Sequence, residues 1–190
     1  MKRTPLSWVV VILLLAMALR SYNLDEIHLR ADEEKNLYIA AESMDQIIHT
    51  FTTDDPHMPF YYLILHGWMG VAGQSEISAR YPAMFSGILI VALVYALGKR
   101  LFPSSNNIAL MGAFLVAINP YLVWDAQEIY MYSMLTAFAV ASFLFFLRAL
   151  KPNASRIMWV AYVLANILGL FTHYLAVLII AAQGVLWPLW

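Results

Sequence analysis

Apolar runs follow one another along most of the chain, near Pro5–Tyr22, Tyr81–Leu101, Ile108–Val123, Tyr132–Leu150 and Ile157–His173. A further run extends from Leu175 to Trp190. A helix needs about 20 mostly apolar residues to cross the hydrocarbon layer, and most of these runs approach that length. Charged residues make up only 12% of the chain, against about 25% in soluble domains. The expected fold is therefore all-α, a polytopic transmembrane helix bundle forming a single membrane domain over residues 1–190.

The segment Pro59–Gly73 is shorter, carries glycine and is rich in Tyr and Trp. It suits an interfacial helix better than a crossing one. The positive-inside rule decides the matter. With residues 59–73 lying on the surface, Lys2, Arg3, Lys99, Arg100, Arg148, Lys151 and Arg156 all fall inside and every Asp and Glu falls outside. The amino terminus is then cytoplasmic, and the acidic face is periplasmic or extracellular. Ala16-Met17-Ala18 imitates a cleavage site, but the spans that follow favour an uncleaved anchor.

The outer loop, 23–79, is the largest extramembrane element. Leu37, Ala40 or Ala41, Met44, Ile47 and Ile48 recur at helical spacing, which predicts one interfacial helix over 32–48. Asp32 is its expected N-cap, and the acids of its first turn complement the helix dipole. After "TTDDPH", Pro59 begins a second interfacial helix over 59–73.

A net charge of −1 and the lack of a basic stripe exclude nucleic acid as a partner. The absence of cysteine excludes disulfides and thiolate chemistry. Polar residues gather in four places: Asp32-Glu33-Glu34 with Arg30 and Lys35; Asp54-Asp55-Pro56-His57; Glu76 with Arg80; and Trp124–Tyr132, joined by His173. In this topology all four lie at one membrane surface and could line one cavity.

Asp32-Glu33 followed by Tyr38, then "HMPFYYLILHGW", "SEISARYPAMFSGILIVALVYALGKRLF", "WDAQEIYMY" and "THYLAV", occur in that order. Together they resemble the amino-terminal half of the GT-C superfamily of membrane glycosyltransferases, on the branch of the bacterial protein mannosyltransferases and the lipid A aminoarabinose transferase. The resemblance implies inverting transfer of a sugar from a polyprenyl-phosphate donor to a protein, lipid or glycan acceptor, outside the cell (inner) membrane. It implies Asp32 as catalytic carboxylate with Glu33 as its partner. The substrate-binding positions it implies are Arg80 of an Arg-x-Pro motif, His57 of a His-Pro-Pro-like motif, and Gln127, Glu128 and Tyr132 of a Gln-Glu-x-Arg-x-Tyr-like motif. His173 of a Thr-His-Tyr motif completes them. Met58 replaces a motif proline, and Tyr130 stands where the motif has arginine.

The chemistry fits these residue types. A positioned carboxylate can take the proton of an attacking hydroxyl. A phosphate leaving group needs no paired acid, unlike a glycosidase substrate. It needs a cation, and Arg80 suits a phosphate at headgroup depth, with Arg30 or Lys35 assisting.

Each residue has a plainer use. Asp32 could only cap, with Glu33 and Glu34 as surface charges. Arg80 could anchor the interface or pair with Glu76. His57, His66 and His173 could be hydrogen-bonded interface residues, and Asn166 and Gln183 could join helices. The rival function is a non-catalytic polytopic protein, transporter-like or scaffolding. A transporter should carry ionisable groups midway along its spans, and these spans have almost none. An oxygen-rich metal site from Asp32, Glu33, Asp54, Asp55 and His57 is a third reading. The branch resembled generally works without metal, so no cofactor is expected. Members of this superfamily continue well beyond this length, which implies that the chain is part of a longer protein, holding the catalytic acid but lacking part of the donor and acceptor sites.

Overall fold

The computed structural model describes residues 5–53 and 58–189. Among these the fold is all-helical, with no strand. In chain order the helices are α1 (Pro5–Ser21), α2 (Ala31–Ala41), α3 (Met44–Thr53), α4 (Phe60–Ala72), α5 (Glu76–Leu101), α6 (Asn106–Ile118), α7 (Pro120–Asp125), α8 (Tyr132–Ala149), α9 (Arg156–Thr172) and α10 (Ala176–Leu186). Helices α5 and α8 are long and apolar enough to cross a membrane, and α1, α6, α9 and α10 are shorter apolar helices.

Helix α5 is the central element and packs against α1, α6 and α8, while α9 lies along α8. Ile12 and Ala16 of α1 are buried with Val91 of α5 and Ala113 and Ala117 of α6. Ala16, part of the cleavage-like triplet, is thus a packed residue of the bundle. Polar side chains join the later helices. Gln183 donates to the Ser142 hydroxyl at 2.7 Å, and that hydroxyl donates to Asn166 Oδ1 at 3.0 Å. These are the interhelical bonds expected of Asn166 and Gln183.

Three element boundaries differ from expectation, each for a local reason. The single helix expected over 32–48 is two, separated at Glu42 and Ser43. Ser43 Oγ accepts the Gln46 backbone N–H at 3.4 Å, and Gln46 Oε1 accepts the Ser43 N–H at 3.2 Å. This Ser-x-x-Gln capping box starts a new helix within an uninterrupted periodic pattern. The run expected over 108–123 is broken at Asn119. Its side chain caps α7 by accepting the Leu122 N–H at 3.0 Å, and Pro120 takes the first helical position. Helix α5 begins at Glu76 rather than Tyr81, because Ser75 Oγ accepts the Ser78 N–H at 3.2 Å. In the second interfacial segment the helix starts at Phe60, with Pro59 as N-cap, and ends at Gly73, whose φ of 87° disfavours any side chain.

Pro82 and Pro120 each leave a carbonyl without its usual donor, and a side chain from another helix supplies one. Pro82 lies inside α5 and cannot donate to Ser78 O; the Trp68 indole N–H of α4 does so at 2.8 Å. Pro120 cannot donate to Val116 O at the end of α6. Arg20, fully buried at the end of α1, donates to Val116 O at 3.4 Å and Ala117 O at 3.1 Å.

Candidate functional site

The site is built where α2 meets the loop between α7 and α8. Helix α2 starts with Arg30 as N-cap, so Asp32 and Glu33 occupy its second and third positions. Asp32 is therefore not the N-cap. The third-position carboxylate caps instead: Glu33 Oε2 accepts the Arg30 backbone N–H at 3.1 Å.

Glu33 is almost fully buried and its other oxygen holds the site together. Oε1 accepts from Arg80 Nη1 at 2.9 Å and from the Ile129 N–H at 2.9 Å. Arg80, entirely buried in the first turns of α5, also donates to Gln127 O and, at 3.2 Å, to Ile27 O. One guanidinium thus ties α5 to the segment before α2 and to the 127–129 loop. Asn36, one turn beyond Glu33, donates to Ile129 O at 2.8 Å and accepts the Tyr62 hydroxyl at 2.9 Å. Both Arg80 terminal nitrogens and both Glu33 oxygens are engaged in this way, while Arg80 Nε is buried without a partner among the described residues; a buried ion pair with this many added bonds holds one geometry strongly.

On the solvent side of this frame lies a pocket of about 200 Å³ lined by Arg30, Asp32, Asp125, Glu128 and four aromatic residues, Tyr121, Trp124, Tyr130 and Tyr132. Arg30 is at its centre. Its Nη2 pairs with Asp32 Oδ2 at 2.8 Å and its Nε with Oδ1 at 3.3 Å, a two-pronged contact. Its Nη1 pairs with Glu128, and its guanidinium lies 5.3 Å from the centre of the Trp124 ring. Arg30 and Asp32 side chains are 45% and 43% exposed, whereas Glu128 is 7% exposed, so solutes in the pocket meet the first two directly.

These environments separate the acids. The Arg30 hydrogen bond holds Asp32 below the usual carboxylate range, and the Asp32 hydrogen bond in turn raises Arg30. Burial pushes Glu128 up to about 7, outweighing the attraction of Arg30. Burial also raises Asp125, opposed by the Ser133 hydroxyl that donates to it at 2.9 Å. The pocket therefore holds one firmly ionised carboxylate beside two that bind protons more readily.

Of the residues singled out from sequence, Asp32, Glu128 and Tyr132 line the pocket. Glu33 and Arg80 stand behind it, paired with each other and shielded from solvent. Gln127 points away and donates to Arg20 O at 3.3 Å and Tyr22 O at 2.9 Å, anchoring the loop to the end of α1. His173 is buried, with its ring 5.7 Å from that of Tyr132, and its Nδ1 accepts the Leu175 N–H at 3.1 Å. His66 bonds Ala40 O at 2.9 Å and joins α4 to α2. Asp54, Asp55 and His57 lie outside the described residues. Among those described, no three His, Asp or Glu side chains converge as a metal ion would require.

Sequence reasoning gave Arg30 only an assisting part, included Trp124 and Asp125 only within the Trp124–Tyr132 stretch without a role of their own, and did not name Tyr121. The available signal was proximity: Arg30 is two residues from Asp32, and a chain this poor in charge rarely leaves such a cation unpaired. Tyr130, at the position where the resembled motif has arginine, stacks on Tyr132 at 4.9 Å, and Arg30, at the N-cap of α2, supplies the pocket's cation.

The model of the dolichyl-phosphate-mannose-protein mannosyltransferase family matches residues 54–189, which takes in Arg80, Glu128 and Tyr132. Comparison with curated proteins and with solved structures gives no match. Since the matched region covers well over half of an all-helical chain with apolar helices long enough to cross a membrane, this chain belongs to the dolichyl-phosphate-mannose-protein mannosyltransferase family of membrane glycosyltransferases.

Proposed function

We propose that the chain carries the transfer site of a multi-pass glycosyltransferase that moves a sugar from a polyprenyl-phosphate donor to an acceptor hydroxyl at the outer membrane face. One observation carries the reading: Asp32 and Arg30, a carboxylate and a guanidinium in contact, are the two half-exposed charges of a pocket walled by aromatic rings. Sugar faces suit aromatic walls, and the guanidinium suits phosphate.

Asp32 accepts the proton of the acceptor hydroxyl as its oxygen attacks the anomeric carbon. The bond from that carbon to the phosphate oxygen breaks, and polyprenyl phosphate leaves with the electron pair. A single displacement inverts the anomeric centre. Arg30, not the buried Arg80, meets the charge gained by the departing phosphate. A phosphate that draws Arg30 N–H groups away from Asp32 also removes what holds Asp32 acidic, so donor binding makes the carboxylate a better base. Glu33, Arg80 and Gln127 are positioning residues in this scheme, and His173 buttresses Tyr132. The donor, acceptor, outward orientation and inversion all belong to the proposal.

A second reading makes Glu128 the base, because its pKa of about 7 is better matched to neutral-pH proton transfer than that of Asp32. Membranes carrying the chain, or a longer parent if one exists, are supplied with radiolabelled polyprenyl-phosphate sugars to separate the two. A folded Asp32→Asn protein should lose about 10²–10⁴-fold in transfer, the usual contribution of a general base. Unchanged transfer by Asp32→Asn alongside loss by Glu128→Gln would give the base role to Glu128. A transfer rate untouched by either substitution would reject the site.

A further inference from the structure

A second charged cavity lies at the other end of the bundle. Helix α5 runs from Arg80 beside the transfer pocket to Lys99 and Arg100, about 30 Å away at 1.5 Å per residue. The last turns of α5 and α8 and the start of α9 enclose an open cavity of about 500 Å³ there. Lys99, Arg100, Arg148 and Lys151 line it, with Ser155 at the N-cap of α9.

The charge of the cavity lining is all of one sign. No acidic residue lines the cavity, and the sequence has no Asp or Glu between Glu76 and Asp125 or after Glu128. Part of it serves the helix ends: Arg100 donates to Leu147 O at 3.1 and 2.6 Å, and Lys99 to Pro103 O at 3.3 Å. Arg148 and Lys151 add two further cations facing no carboxylate. Ser155 makes no side-chain capping bond, so the first N–H groups of α9 add partial positive charge at the same rim.

Four cations and a helix N-terminus around one cavity, in a family of membrane proteins, match an anionic phosphate at headgroup depth. We infer that this cavity binds the phosphate of an anionic lipid headgroup, at a site separate from the transfer pocket. The occupant is a lipid of the surrounding leaflet, held by the cations while its acyl chains lie against the apolar flanks of α5 and α8. The inference does not depend on the proposed chemistry of the Arg30 pocket.

The test uses the whole chain purified in neutral detergent, with thermal unfolding followed as phosphatidylglycerol, phosphatidylcholine or inorganic phosphate is added. Phosphatidylglycerol should raise the unfolding temperature in a saturable, salt-sensitive way, and phosphatidylcholine should not. Lys151→Gln, an exposed change that leaves the fold intact, should weaken the response roughly fivefold, and Arg148→Gln/Lys151→Gln roughly 30-fold. Arg156→Gln, one residue outside the cavity lining, should respond like the parent. An equal response in the parent and the double variant would overturn the site. A response to inorganic phosphate matching that to phosphatidylglycerol would overturn the lipid as its occupant.

Discussion

Removing Arg80 tests whether the Arg30–Asp32 pocket hangs on a buried ion pair or whether this arginine serves substrate directly. Arg80 and Glu33 meet at 2.9 Å with side chains 0% and 1% exposed. At an effective dielectric of about 20, charges at that distance attract by about 6 kcal/mol. Most of this offsets the cost of burying both groups, so the net worth of the pair is small. Losing one partner is different, because it strands the other charge, at about 3–5 kcal/mol. In Arg80→Met, Gln127 O and Ile27 O also lose a donor. Against a total stability of about 5–15 kcal/mol, this leaves a marginal fold. Glu33→Gln keeps an acceptor for the Ile129 or Arg30 N–H but strands Arg80. The double variant strands neither charge and should be more stable than the sum of its parts by at least about 2 kcal/mol. Tryptophan-monitored unfolding in detergent of all four proteins gives this coupling. Additivity within about 0.5 kcal/mol would refute the reasoning. So would an Arg80→Met protein with parental stability and no transfer activity, which would return Arg80 to a direct role with phosphate.

Three further outcomes follow from individual contacts. Trp68→Phe keeps the ring but removes the donor to Ser78 O beside Pro82, and should cost about 1–3 kcal/mol in thermal or denaturant unfolding. Gly98→Ala would place a Cβ 2.8 Å from the Ala109 backbone, so α5 and α6 must separate; an unfolding cost of about 1–3 kcal/mol is expected, and an unchanged midpoint would contradict that close approach. If Asp32 is the base, kcat/KM for transfer should stay flat as pH falls from 8 to 5, because in the donor-free site that kcat/KM reports, the Arg30 hydrogen bond holds this carboxyl below the usual range and ionised. If Glu128 is the base, transfer should decline as pH falls through about 7, where its raised carboxyl takes up a proton, and Glu128→Gln should abolish transfer.

Helix positions were legible in the sequence wherever apolar content alone decides them, as in α1, α8 and α9. Boundaries governed by single side chains were not. The Ser43–Gln46 capping box and the Asn119-Pro120 break both interrupt patterns that continue on either side, and local hydrogen bonds prevailed over periodicity. At the site, sequence singled out Asp32, Glu128 and Tyr132 but could not tell front from back. Glu33 and Arg80 are 47 residues apart, and nothing in either neighbourhood shows that they neutralise each other in the interior. Arg20 was hidden similarly: at the end of an apolar run it reads as an interfacial flank, yet it satisfies carbonyls of α6.

The most direct measurement is a structure of the chain, or of a longer parent if one exists, with polyprenyl phosphate bound. The phosphate should sit within hydrogen-bonding distance of the Arg30 guanidinium, about 2.7–2.9 Å for a charge-assisted contact, with Asp32 released from Arg30 and the Glu33–Arg80 pair intact. A phosphate held by Arg80, with that pair broken and Arg30 still closed on Asp32, would contradict the account.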